Sequence, residues 1–76
     1  MTDQNARPLD ALNKARNGKV LVELKNNKQI VGTLVSFDIH INTVLKDAEE
    51  WVNGEVQRKL GTAFVRGDTI TLISPQ

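Results

Sequence analysis

From Lys19 to Ile73 apolar and polar positions alternate, and turn residues interrupt the alternation at short intervals. A period of two is the mark of half-buried strands. Val20, Val22 and Leu24, interleaved with Leu21, Glu23 and Lys25, predict a first strand. Asn26-Asn27 then predicts a turn, because Asn tolerates positive φ. Gln29 to Asp38 predicts a long second strand with Gly32 at a bend, and Thr43 to Glu50 a third. Asn53-Gly54 is the strongest hairpin signal in the chain. It leads into a fourth strand, Glu55 to Val65, with Gly61 in mid-run. Arg66-Gly67-Asp68 reads as a tight turn before a fifth strand, Thr69 to Ile73. Ahead of all of these, Arg7 to Gly18 predicts one short helix, with Pro8 at its first position and Gly18 just past its end. Asp10 and Lys14 form an i,i+4 pair on it. Leu9, Leu12 and Ala15 give it a narrow apolar stripe. A helix this short is marginal alone and is expected to cover one open end of a barrel.

The expected architecture is mainly β: a short N-terminal helix followed by a strongly bent, five-stranded antiparallel barrel. It forms a single domain over residues 7–75, preceded by a flexible polar tail over residues 1–6. After Asp68 the fifth strand carries no charge, so its edge lacks protection against pairing. Pairing of one copy's fifth strand with the next copy's fourth is a head-to-tail contact, which closes into a ring or runs on as a filament.

Composition narrows the function. There is no cysteine, and the single histidine lies among scattered carboxylates, so neither a disulfide nor a metal site is expected. No cofactor motif is present. An enzyme is not expected either, since catalysis needs a coupled nucleophile, base and orienting group. Ser36, Asp38 and His40 are too close in sequence to converge on one substrate atom. The polar start, Met1 to Ala6, has no signal-peptide character. No apolar run approaches the length, roughly 20 residues, that spans a bilayer. A cytoplasmic protein without membrane contact is the expectation. The aromatics Phe37, Trp51 and Phe64 are too dispersed to wall a groove for proline-rich peptides, and Trp51 is expected to pack the hairpin. A net charge of +1 is no nucleic-acid signature, so any such binding must come from local placement.

Phe37-Asp38-Ile39-His40-Ile41-Asn42 is where that placement is concentrated. Ile39 and Ile41 alternate with Asp38, His40 and Asn42, which predicts a polar set on one side of an extended or tightly turned segment. A flat ring, a bifunctional amide and a carboxylate suit single-stranded nucleic acid. The plainer alternative is a turn whose Asp and Asn cap backbone groups. Arg66 offers a second flat plane, and should copies of the chain close into a ring with these loops innermost, one Arg66 and one His40 per subunit would form a focused positive patch.

The run from Gly18 to Glu50 resembles the first Sm motif, and Leu60 to Ser74 resembles the second. Gly32, the Phe37-Asp38-x-His40-x-Asn42 loop, Val44-Leu45, Leu60-Gly61 and Arg66-Gly67-Asp68 carry a resemblance to the archaeal Sm-like (LSm) proteins. Departures are Ile41 where methionine is common, Thr43 where leucine is common and Thr69 where asparagine is common. Thr43 is expected to alter packing beneath the loop, and Thr69 to loosen the turn. The resemblance implies an SH3-like barrel assembled through strands four and five into a ring, usually a heptamer. It further implies binding of uridine-rich single-stranded RNA near the central pore, in RNA processing, turnover or ribonucleoprotein assembly. By position, His40 and Arg66 would flank the uracil, Asn42 would read its edge, and Gly67 and Asp68 would complete the pocket. Asp38 would support the loop. The alternative is a structural or protein-interaction ring of SH3-like barrels without specific RNA binding.

Overall fold

The computed structural model describes residues 7–76, so the polar tail expected over residues 1–6 lies outside the described residues. Helix α1 spans Pro8–Asn13, shorter than its sequence pattern, and is followed by turns up to the first strand. Pro8 opens it, and Asp10 in its first turn accepts the Arg7 Nε at 3.1 Å. Asn17, not Gly18, takes the left-handed conformation at φ 69°. The reason lies in the next element: Asn17 N–H donates to the Leu34 carbonyl at 2.7 Å, and the Gly18 carbonyl accepts Leu34 N–H at 2.9 Å. Gly18 is thus already laid along a strand. Leu12 and Ala15 pack against the core, as a covering helix should.

The strands are β1 Lys19–Leu24, β2 Lys28–Phe37, β3 Thr43–Val52, β4 Glu55–Val65 and β5 Ile70–Pro75, with a 3-10 turn at Gly67–Thr69. They form one antiparallel sheet in the order β4-β3-β2-β1-β5. The two strands expected to meet a second copy are therefore the two edges, and they do not pair with each other within the chain. Phe64 on β4 and Leu72 on β5 are 79% and 45% exposed, so both edges carry large uncovered apolar side chains.

β3 outruns its pattern by two residues. Asn53 and Gly54 both adopt positive φ, 53° and 81°. That matches a two-residue hairpin turn and lets Val52 pair with Glu55. Thr69 is not in a strand, because its N–H and hydroxyl both turn back to the Arg66 carbonyl at 3.1 and 2.7 Å.

The sheet curls at three places. A Cβ on Gly32 would meet the Lys46 carbonyl oxygen at 3.0 Å and the Ala48 Cα at 3.1 Å, so the missing side chain lets β3 fold close over β2. Gly61 lies opposite Ala48 with φ 70°. That conformation has no steric cost for glycine. Between them Asp47 stands at φ 51° where the β3–β4 register shifts. It is a bulge with no glycine or proline to announce it. Val20, Val22, Ile30, Leu34, Leu45, Ala48 and Val65 are buried in the resulting curl. Each large member contributes about 1.5–3 kcal/mol through removal from water. Beyond Ala48 the hairpin is held differently: Glu50 is clasped by Arg58 at 2.8 Å and Lys28 at 3.8 Å. Trp51 is half-buried with its Nε1 donating to Glu49 at 3.3 Å, a hairpin packing role. Among the described residues no helix is long and apolar enough to cross a membrane.

Candidate nucleic-acid interface

β2 ends at Phe37 and β3 begins at Thr43, and the segment between them is a tight turn rather than an extended strand. Asp38 organises it. Its Oδ1 accepts the N–H groups of His40 at 2.8 Å and Asn42 at 3.1 Å, and its Oδ2 accepts the Asn42 Nδ2 at 3.0 Å. The Asn42 side-chain amide, followed by the backbone N–H groups of His40 and Asn42, holds the Asp38 carboxyl below its ordinary value against an opposing effect of desolvation. The backbone closes on itself through Ile41 N–H to the Asp38 carbonyl at 2.9 Å and Asp38 N–H to the Asn42 carbonyl at 3.1 Å. The alternation of the two isoleucines does not bury both. Ile39 is 74% exposed at the tip of the turn, and Ile41 is half-buried in left-handed backbone at φ 62°.

The second loop docks on the first. Gly67 N–H donates to the Asn42 Oδ1 at 2.8 Å. A Cβ at Gly67 would fall on the His40 carbonyl oxygen and come within 2.8 Å of the Ile41 carbonyl carbon, so only glycine admits this approach. Four of the expected residues, Asp38, His40, Asn42 and Gly67, are thereby brought into one bonded unit. Arg66 and Asp68 flank it and bind each other, Nη2 to Oδ2 at 2.9 Å, both largely exposed. Such an exposed pair adds little stability but gives the guanidinium a preferred plane. Thr69 ties this turn through the Arg66 carbonyl rather than loosening it.

Within one subunit the loops carry no excess of positive charge. Asp38 and Asp68 outnumber Arg66 in these loops, so the loops themselves are not a positive patch. What the arrangement offers instead is orientation. Asp38 can only accept and Gly67 N–H can only donate, so the Asn42 amide has one orientation, Nδ2 toward Asp38 and Oδ1 toward Gly67. One N–H and one oxygen lone pair of the exposed Asn42 amide are left over by these bonds. Sequence reasoning missed the part played by Thr43, which is 1% exposed beneath the loop and donates its hydroxyl to the Ile41 carbonyl at 2.7 Å. Among the described residues no group of three or more His, Cys, Asp or Glu side chains is placed to hold a metal ion.

Comparison with known proteins agrees with this geometry. An snRNP Sm-like protein of Archaeoglobus fulgidus is 52% identical over 69 residues, covering 91% of this chain and 90% of its own. The Sm protein of Pyrococcus abyssii, solved in complex with a uridine heptamer, superposes with a TM-score of 0.90 at 42% identity over 93% of this chain and 100% of that one. The P. aerophilum SmAP1 heptamer superposes with a TM-score of 0.87, also at 42% identity, over 93% and 95% of the two chains. The family model described as the LSM domain matches residues 10–75, from within α1 to the end of β5. With two loops bonded through Asn42 and Gly67, a five-stranded curled sheet and these relatives, the chain belongs to the LSM domain family of Sm-like proteins.

Proposed function

We propose that this chain assembles head-to-tail into a ring, a heptamer as in its solved relatives, and binds uridine-rich single-stranded RNA at the central pore. The ring is supported by the two free sheet edges, β4 with Phe64 and β5 with Leu72, which are the two ends of the strand order. Each subunit contributes one base site. His40 and Arg66 supply flat groups on either side of the base, Asn42 reads its edge, and Gly67 and Asp68 complete the wall, with Asp38 as the support.

The observation that carries the reading is the fixed Asn42 amide. Uracil presents an N3–H donor beside a carbonyl acceptor. The remaining lone pair of Oδ1 accepts from N3–H, and the remaining N–H of Nδ2 donates to the carbonyl. Cytosine presents N3 as an acceptor beside an amino donor, so both contacts are mismatched. An amide free to flip would serve either base; this one is not free. RNA processing, turnover or ribonucleoprotein assembly is the setting in which such a ring acts.

Two measurements on the purified protein test the proposal. Light scattering coupled to size exclusion is expected to show a closed oligomer, and a monodisperse 8.4 kDa species would overturn the ring. Titration with oligouridine and oligocytidine at one salt concentration is expected to show saturable binding that favours uridine. A ring that binds neither would be a structural or protein-interaction scaffold.

A further inference from the structure

The base site depends on a backbone conformation that its own side chain disfavours. Ile41 stands at φ 62°. It is β-branched, and branched side chains are rare in that left-handed region. It lies between His40 and Asn42, and its carbonyl carbon stands 2.8 Å from where a Cβ on Gly67 would lie. Any relaxation of Ile41 toward ordinary φ therefore rotates the peptide against which Gly67 packs, and with it the Gly67 N–H that orients Asn42. Ile41 is gripped on both sides. Its N–H is held by the Asp38 carbonyl at 2.9 Å, within the loop itself. Its carbonyl is held by Thr43 Oγ1 at 2.7 Å, and Thr43 is rooted in the sheet, opposite Phe37 of β2 and Val65 of β4.

Thr43 is the single buried polar residue among those described, at 1% exposure beside the apolar core. A hydroxyl removed from water is costly unless it is bonded, and the Ile41 carbonyl is the partner it has. The hydroxyl thus links the rigid sheet to a loop residue held in strained backbone. We infer that Thr43 is a positioning residue for base recognition: its hydroxyl locks Ile41 in the left-handed conformation and so holds His40, Asn42 and Gly67 in register. The inference rests on the proposed uridine site, which it deepens, but its first consequence is visible without RNA.

The test uses the assembled protein with Thr43→Val, which keeps the shape and removes the hydroxyl, and Thr43→Ser, which keeps the hydroxyl and removes the methyl. Hydrogen exchange at the Gly67 amide, measured without RNA, is expected to quicken in Thr43→Val and to stay near the parent rate in Thr43→Ser. Oligouridine affinity is expected to fall about fivefold in Thr43→Val, the equivalent of one net hydrogen bond, and the uridine-to-cytidine ratio to fall with it. Thr43→Ser is expected to retain both. In an Ile41→Gly background the left-handed conformation carries no strain, so Thr43→Val is expected to cost less there than in the parent. This non-additivity would not arise from packing alone. Equal Gly67 exchange in parent and Thr43→Val overturns the inference, as does a Thr43→Ser protein impaired as much as Thr43→Val. A Thr43→Val chain that fails to fold leaves the decision to Thr43→Ser, whose loss of Gly67 protection would equally overturn it. Failure of the parent to bind oligouridine would defeat the proposed function while leaving the exchange result to decide the role of Thr43.

Discussion

Asn42 accepts the amide hydrogen of Gly67 at 2.8 Å across a sequence separation of 25 residues, so the two polar loops form one bonded surface. Neither loop is complete without the other: one contributes the amide, the other the donor that fixes its direction.

That dependence makes Gly67 the least replaceable residue of the surface. Its φ lies outside the left-handed region, so its requirement is for space and not for angle. Gly67→Ala is expected to push the second loop off the His40 carbonyl, abolish oligouridine binding and destabilise the fold by on the order of 3 kcal/mol, as other severe steric substitutions do. Chemical denaturation and RNA titration on the same preparation would check both effects. Unchanged stability would show that the loops separate at no cost.

Asn42→Asp places a second carboxylate where the Nδ2 lies 3.0 Å from the Asp38 oxygen. The expected result is weaker oligouridine binding and a narrower preference for uridine over cytidine, by about 1–3 kcal/mol of discrimination in analogy with bidentate edge contacts elsewhere. Parallel titrations with the two oligonucleotides measure it. An unchanged ratio would move base selection away from this residue.

His40→Ala and Arg66→Ala should each weaken oligouridine binding by about 1–3 kcal/mol per engaged base while leaving the oligomer intact. Arg66→Lys should rescue only in part, because the ammonium is not planar. Arg66 already pairs with Asp68 at 2.9 Å. Its loss should therefore alter the log–log salt slope by less than the ~0.7 of one fully neutralised phosphate on a single strand. Full rescue by lysine, or a slope change of that size, would identify Arg66 as a point charge.

The Asp38 carboxyl is held below its ordinary value of 3.8 in the folded loop. A depressed carboxyl contributes its hydrogen bonds fully above the unfolded value and loses them as pH falls through the folded one. The difference in Gly67 and Asn42 amide protection between the parent and Asp38→Asn is therefore expected to be constant above pH 3.8 and to shrink below it. Carboxyl carbon chemical shifts of Asp38 give the midpoint directly. A midpoint at or above 3.8 would mean that the loop does not favour the charged form.

Strands marked by strong local chemistry were legible in the sequence, as Glu55–Val65 behind Asn53-Gly54 illustrates. Features that depend on distant partners were not. Asp47 bulges because β3 must bend over Gly32 and opposite Gly61, and nothing in Lys46-Asp47-Ala48 signals it. Gly18 attracted the helix stop by residue type, but the tie of Asn17 to Leu34 moved the left-handed residue one place earlier. At the site, residue types were readable and their bonding was not. The partners that fix Asn42 are Asp38 and the Gly67 amide, 25 residues away, while Asp68 is turned to Arg66. Thr43 passed as a packing change because its hydroxyl's partner is a carbonyl presented only by the left-handed turn of Ile41.

The β3–β4 hairpin beyond Ala48 contains no buried residue from Glu49 through Phe64, and its tip is at the opposite end of β3 from the recognition loops. Its register is carried by the backbone ladder, the Asn53-Gly54 turn and the Glu50–Arg58 pair, while Leu60 and Ala63 pack against the core at its base. The tip of this arm can consequently be extended by an even number of residues in each strand, which preserves the inward and outward faces, whereas shortening it would strip Lys28, Gln29 and Ile30 of their β3 partners. Length added at the Asn53-Gly54 tip would raise a rim on the molecule without reaching the loops bonded through Asn42 and Gly67.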